Sequence, residues 1–190
     1  MITVGLLVSN RCDSMIACIK KQLPAEKRVH IVPDARKVAD MEQYISELAD
    51  SGVQVVAADI SGVPSACLGG LFFDVVIYDG MSGEPAGDKS ALKHIHSKTI
   101  VISNGDDNII PEFMSGSKLC AVTYGLSQKC SVTASCIDNC EGMSFNYCIQ
   151  RNIPSVHGGE IEIGEHAVNI GGGSVNIYDA LAAVTLGAVL

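Results

Sequence analysis

A chain of 190 residues is long enough for one domain with a full core. It is 47% hydrophobic with 19 glycines and 5% aromatic residues, a globular α/β composition that excludes a disordered chain. The net charge of −8 argues against nucleic acid or an anionic membrane as the main partner. No apolar stretch reaches the length of a transmembrane helix. The opening MITVGLLVSNRCDS lacks the basic n-region of a signal peptide, so a cytoplasmic chain is expected. Its eight cysteines include no C-x-x-C pair, which favours reduced thiols over a zinc site.

In chain order, Ile2 to Val8 is an apolar run of strand type. The polar turn Ser9 to Cys12 follows, and Asp13 is placed to cap a helix from Ser14 to Leu23. Lys27 to Val32 is a second strand, stopped by Pro33, and Val38 to Asp50 is an amphipathic helix ended by Gly52. Val53 to Ile60 is continuously apolar, the mark of a central parallel strand, and Ser61 to Pro64 breaks it. Further strands are expected at Phe73–Tyr78, Lys98–Ser103 and Leu119–Tyr124, with short helices at Asp88–His94 and Ile109–Met114.

From Cys130 to Arg151 the chain alternates, with turn residues around Asp138 to Gly142, which predicts an antiparallel hairpin. Ser155 to Ile170 repeats that style. A closing helix then begins after Gly171–Gly173, capped by Ser174, with Ile177, Leu181, Val184 and Leu190 along one side. The expected architecture is a single doubly wound α/β domain over residues 1–190. It has a mainly parallel sheet, an antiparallel appendage at roughly 126–170 and a final helix.

A strand, tight turn and helix at the start of an α/β fold is where phosphate usually binds, because free N–H groups and the helix dipole meet there. A phosphate loop needs glycines for close backbone approach and a lysine for the outer phosphates. Val8, Ser9, Asn10, Arg11, Cys12 and Asp13 supply neither, and Asp13 places a carboxylate where an anion would sit. Arg11 is the one side chain of the turn suited to an anion, although a surface position explains it equally. Asp59, with Ser61 behind it, ends a central strand and suits either a metal ligand or a loop cap. Asp106 and Asp107, after Asn104, suit a ribose or the cap of the next short helix. His94 and His96 lie on a polar stretch and read as solvated, and His157 and His166 have no acidic partner at a telling spacing.

Several segments resemble, in order, the central ATP-binding domain of the Mur ligases, closest to the UDP-N-acetylmuramyl tripeptide synthetase type. SELADSGVQVVAADIS is similar to the helix and strand before that family's E-V-S-S-H segment. GGLFFDVVIYDGMSGE is similar to its D-G-x-x-F-D-V-A-V-F-T-N-L-S-x-D, and IVISNGDDN to its V-N-x-D-D-P turn. CAVTYGLSQKCSVTASCID resembles its T-Y-G-L strand and hairpin, and SVNIYDALAAVTLGAVL its H-N-V-Y-N-A-L-A-A helix. The resemblance implies a peptidoglycan-synthesis fold and, in a working member, ATP and magnesium.

The departures from the family pattern fall on its working positions. Val8 to Asp13 replace G-T-N-G-K-[ST], Asp59 replaces the magnesium-linked Glu, Val63 its His, Gly80 an Asn and Pro85 a His. Lys89 and Lys93 are the near candidates for the carbamylated lysine. Asn176 is kept, and Asp179 replaces the Asn that faces adenine. On this pattern the chain has no catalytic residue, no bound metal and no cofactor, and serves as a binding or scaffold module. A homodimer or a separate partner chain is expected to use the closing helix or its neighbours, since the sequence ALAAVTLGAVL offers little charge to water. The alternative is a subunit of an ATP-dependent acid–amino-acid ligase, completed by partner domains.

Overall fold

The computed structural model describes residues 1–8, 12–23, 27–79, 91–107, 119–140, 142–171 and 175–190. A nine-stranded sheet forms the middle layer. Its strands are β1 (Ile2–Val8), β2 (Val29–Val32), β3 (Val55–Asp59), β4 (Val75–Asp79), β5 (Ile100–Asn104), β6 (Cys120–Tyr124), β7 (Val132–Asp138), β8 (Met143–Ile149) and β11 (Gly164–Gly171). The strand order is β11-β8-β7-β6-β5-β4-β1-β3-β2. Strands β2, β3, β1, β4, β5 and β6 run parallel, and β7, β8 and β11 pair antiparallel. Two short strands, β9 (Ile153–Pro154) and β10 (Glu160–Ile161), form a separate antiparallel ribbon. The expected doubly wound domain with an antiparallel appendage is therefore present.

Alternation along the strands divides the core in two. Val4, Leu6 and Val8 of β1 face the side covered by α1 (Cys12–Gln22) and α4 (Ile177–Val189). Leu7 faces the side covered by α2 (Met41–Asp50) and α3 (Ser65–Leu68). Gly5 also points to this second side, where a Cβ would lie 2.8 Å from Ile60 Cδ1, so glycine lets β1 run close beneath Ile60 and Phe73. On β8 every second residue is buried, and Tyr147 sends its hydroxyl to Thr185 Oγ1 on α4 at 3.2 Å.

Several local expectations shift. The first helix starts at Cys12, so Asp13 is an exposed residue of its first turn rather than its cap. The second helix starts at Met41, because the Asp40 side chain accepts from Gln43 N at 3.0 Å, and residues 35–37 form a separate 3-10 turn. Gly52 does end that helix. At φ +80° it lets Val53 N reach Leu48 O and Gly52 N reach Ala49 O, a Schellman closure. The four-residue helix α3 was not foreseen, since four residues give no period to read. The short helix expected at 88–94 is a 3-10 turn over Ala91–His94 within the described residues, and the one expected at 109–114 lies outside them.

The closing helix departs most from expectation. Its cap is Asn176, whose side chain accepts from Tyr178 N at 2.9 Å; Ser174 lies outside the described residues. Asp179 through Leu186 are all buried, so α4 has no single apolar side facing solvent. It packs along α1 and across β4 to β8. An apolar helix whose one acidic residue, Asp179, is itself buried is here an internal helix, not an exposed face.

Candidate functional site

The parallel strands end together at one rim of the sheet, with β1 at the point where the strand order reverses. In open α/β sheets this rim is where ligands bind. Pairing across the strands sets the positions: Leu6 lies opposite Asp59, Val8 opposite Asp79, and Asn104 opposite Tyr124.

At the β1–β3 part of the rim, the Ser61 hydroxyl donates to Val8 O at 3.0 Å and accepts from Val8 N at 3.2 Å. The N–H at the end of β1 is thus already used. Ser61 N donates to Asp59 Oδ1 at 3.0 Å, which makes Asp59 the cap of its own loop. The half-buried Cys12 thiol sits against the same carboxylate. Burial pushes this thiol far above its ordinary range. Asp59 adds to the effect by its charge and a hydrogen bond, and Asp13 and Asp34 by their charges. Asp34 in turn pairs with Arg36 at 2.8 Å and with Lys37 at 3.5 Å. Ser9, Asn10 and Arg11 lie outside the described residues.

The β5–β6 part of the rim is built around Asp106. Its carboxylate accepts from Leu126 N at 2.6 Å, Ser127 N at 3.1 Å, the Tyr178 hydroxyl at 3.2 Å and the Cys130 thiol at 3.7 Å. Asn104 Oδ1 accepts from Asp106 N at 3.0 Å and fixes the turn. Gly125 allows this closeness, since a Cβ there would lie 2.7 Å from the Asp106 carboxylate. Burial first, then the Asp106 charge, pushes the Cys130 thiol up to about 11; the same two causes raise the Tyr178 hydroxyl. Asp106 ties the β6–β7 turn to the first turn of α4; the helix it is expected to cap lies outside the described residues. Asp107 beside it is exposed.

Asn176 is occupied as the α4 cap, and Asp179 is fully buried beneath it. Its charge is felt inside the core, where burial and then Asp179 push the Cys18 thiol up to about 11. Sequence reasoning missed Asp79 and Tyr124. Asp79 is only 2% exposed, and the Tyr124 hydroxyl donates to its Oδ1 at 3.4 Å. An aspartate directly after VVIY was the available signal. His94, read as solvated, is instead buried and bonded at both ring nitrogens. Lys93 is exposed, and Gly80, Pro85 and Lys89 lie outside the described residues.

Three carboxylates crowd the start of α1, the β1 amide is taken by Ser61, and the Asp106 oxygens are filled by protein donors. Among the described residues no three His, Cys, Asp or Glu side chains are grouped to hold a metal ion. All eight cysteines are free thiols, three of them exposed at Cys120, Cys136 and Cys140. No helix among the described residues is long and apolar enough to cross a membrane.

No family model and no curated protein matches the sequence. Solved structures do match the fold. A UDP-N-acetylmuramoyl-L-alanyl-D-glutamate–2,6-diaminopimelate ligase superposes with a TM-score of 0.71 at 14% sequence identity. The match covers 98% of this chain and 42% of that one, so the chain spans less than half the length of the ligase. At this identity the likeness concerns architecture alone, and over nearly all its length the chain has a Mur ligase fold.

Proposed function

We propose that the chain is a Mur-ligase-like domain of peptidoglycan synthesis, related to the tripeptide synthetase type, that has given up ATP–magnesium and acts as a binding or scaffold module. The observation that carries this is the charge around Cys12. Asp13, Asp34 and Asp59 all act on one thiol at the place where an anion would have to enter. A lysine there would give a charge-assisted contact worth roughly 1.5–3 kcal/mol. Its loss alone is worth about one to two powers of ten in affinity, at about 1.4 kcal/mol per tenfold, and repulsion from the carboxylates adds to it.

Calorimetric titration with ATP and magnesium is expected to show no binding tighter than about millimolar. A variant carrying Val8→Gly, Arg11→Gly, Cys12→Lys and Asp13→Thr should bind measurably better. Micromolar binding by the natural sequence would overturn the reading. It would favour the second one, a subunit of an ATP-dependent amino-acid ligase completed by other domains, which the 42% coverage supports.

A binding module needs a partner, either a second copy or a separate cytoplasmic chain. With α4 internal, the surface that suits this is the antiparallel end of the sheet. There β11 is the edge strand, and Ile137 and Ile163 are 41% and 68% exposed. Light scattering of the natural chain should show a dimer that Ile163→Lys weakens. A stable monomer, with no partner recovered through this end, would count against it.

A further inference from the structure

On the α2–α3 side of the sheet a serine, a histidine and a carbonyl form a line. His94 ends the 3-10 turn Ala91–His94 and is 4% exposed. Its Nδ1 lies 2.6 Å from Leu71 O, and its Nε2 lies 2.9 Å from Ser65 Oγ. A carbonyl oxygen can only accept, so Nδ1 carries the proton. In the neutral ring Nε2 is then an acceptor, and the Ser65 hydroxyl donates to it. The backbone of both residues is fixed: Phe73 N donates to His94 O at 3.1 Å, and Leu71 N donates to Leu68 O at 3.1 Å. The arrangement has a nucleophile, a base in hydrogen-bond reach and a third group that fixes the tautomer of the base, which is the pattern of an activated hydroxyl.

Access differs along this line. His94 is sealed, whereas Ser65 is half-buried, between exposed Pro64 and Ala66. Phe72, next to Leu71, is 53% exposed and lies 5.4 Å from the His96 ring.

We propose that Ser65 is a nucleophile activated by His94 and that it accepts acyl groups from activated esters. Ser65 Oγ attacks the carbonyl carbon and its proton passes to His94 Nε2. The Oγ–C bond forms, the bond from carbon to the leaving oxygen breaks, and the proton returns from Nε2 to that oxygen. The products are an ester on Ser65 and an alcohol or phenol. Nothing in this step depends on the state of the β1–α1 turn.

The test treats the full chain with p-nitrophenyl acetate and reads p-nitrophenol release, intact mass and a peptide map. One acetyl group on the peptide containing Ser65, absent in Ser65→Ala, is the expected result. His94→Gln should slow release by about 10²–10⁴-fold. Because that change also removes a buried contact, Ser65→Cys provides a second reading. Beside the imidazole, its thiol should be alkylated by iodoacetamide at pH 6 about tenfold faster or more than exposed Cys120. A serine that merely anchors the buried His94 ring would give neither result. The absence of acetyl on Ser65, with a Ser65→Cys thiol no faster than Cys120, would overturn the proposal.

Discussion

Replacing Asp106 by alanine is expected to lower the unfolding free energy by about 3 kcal/mol. Four donors converge on this carboxylate: two turn amides, the Tyr178 hydroxyl and the Cys130 thiol. Hydrogen bonds to a charged group are worth roughly 1.5–3 kcal/mol each, and stranding a buried donor costs about 1–3 kcal/mol. The sum is discounted because Leu126 is 43% exposed and water can reach its amide. Asp106→Asn should fall between, since one of its two acceptor oxygens becomes an NH2 that faces donors. Urea unfolding of the three proteins checks this. A loss under about 0.5 kcal/mol, the size of an ordinary surface change, would leave Asp106 available for a ligand and undo its role as a latch.

The second large effect concerns α4. Leu181 is fully buried in the middle of this helix, within the core cluster shared with Met15, Ile16 and Ile19 of α1. Leu181→Ala removes most of a side chain from a close-packed site and should cost about 2–5 kcal/mol. Leu181→Asp should leave the chain unfolded, because an unpaired carboxylate cannot remain in that core. The pair separates two roles of the helix. If α4 were a docking face, the aspartate variant would stay folded and lose only its partner. If it is internal, circular dichroism will show the fold lost.

Much of the fold was legible because its signals are local or periodic. Val55–Ala58 is a continuous apolar run, and such a run belongs to a strand covered on both faces. MSFNYCI alternates with period two and does become a strand with one buried face. The closing helix shows where this reasoning ends: apolarity all round says that a helix is internal or docked, but not which, and only the positions of α1 and the sheet decide it. The rim divides in the same way. That the β1–α1 turn lacks glycine and lysine is visible in the sequence. That Asp106 reaches 20 residues forward to Leu126 and 72 forward to Tyr178 is not, because a carboxylate in a turn looks the same whether it faces a ligand or a distant amide. His94 was misjudged because its partners, Ser65 and Leu71, lie 29 and 23 residues away.

The packing of α4 on α1 also bears on how the chain is made. Residues of α1 leave the ribosome well before those of α4. Until then Met15, Ile16, Cys18 and Ile19 have no α4 to cover them, and the α4-facing sides of β4 to β8 are open as well. The α2–α3 side needs only residues up to the 3-10 turn at Ala91–His94 and can close sooner. The two sides of one sheet are thus completed at different times during synthesis, and the α1 side stays open until α4 emerges, the interval in which a holding chaperone has something to bind.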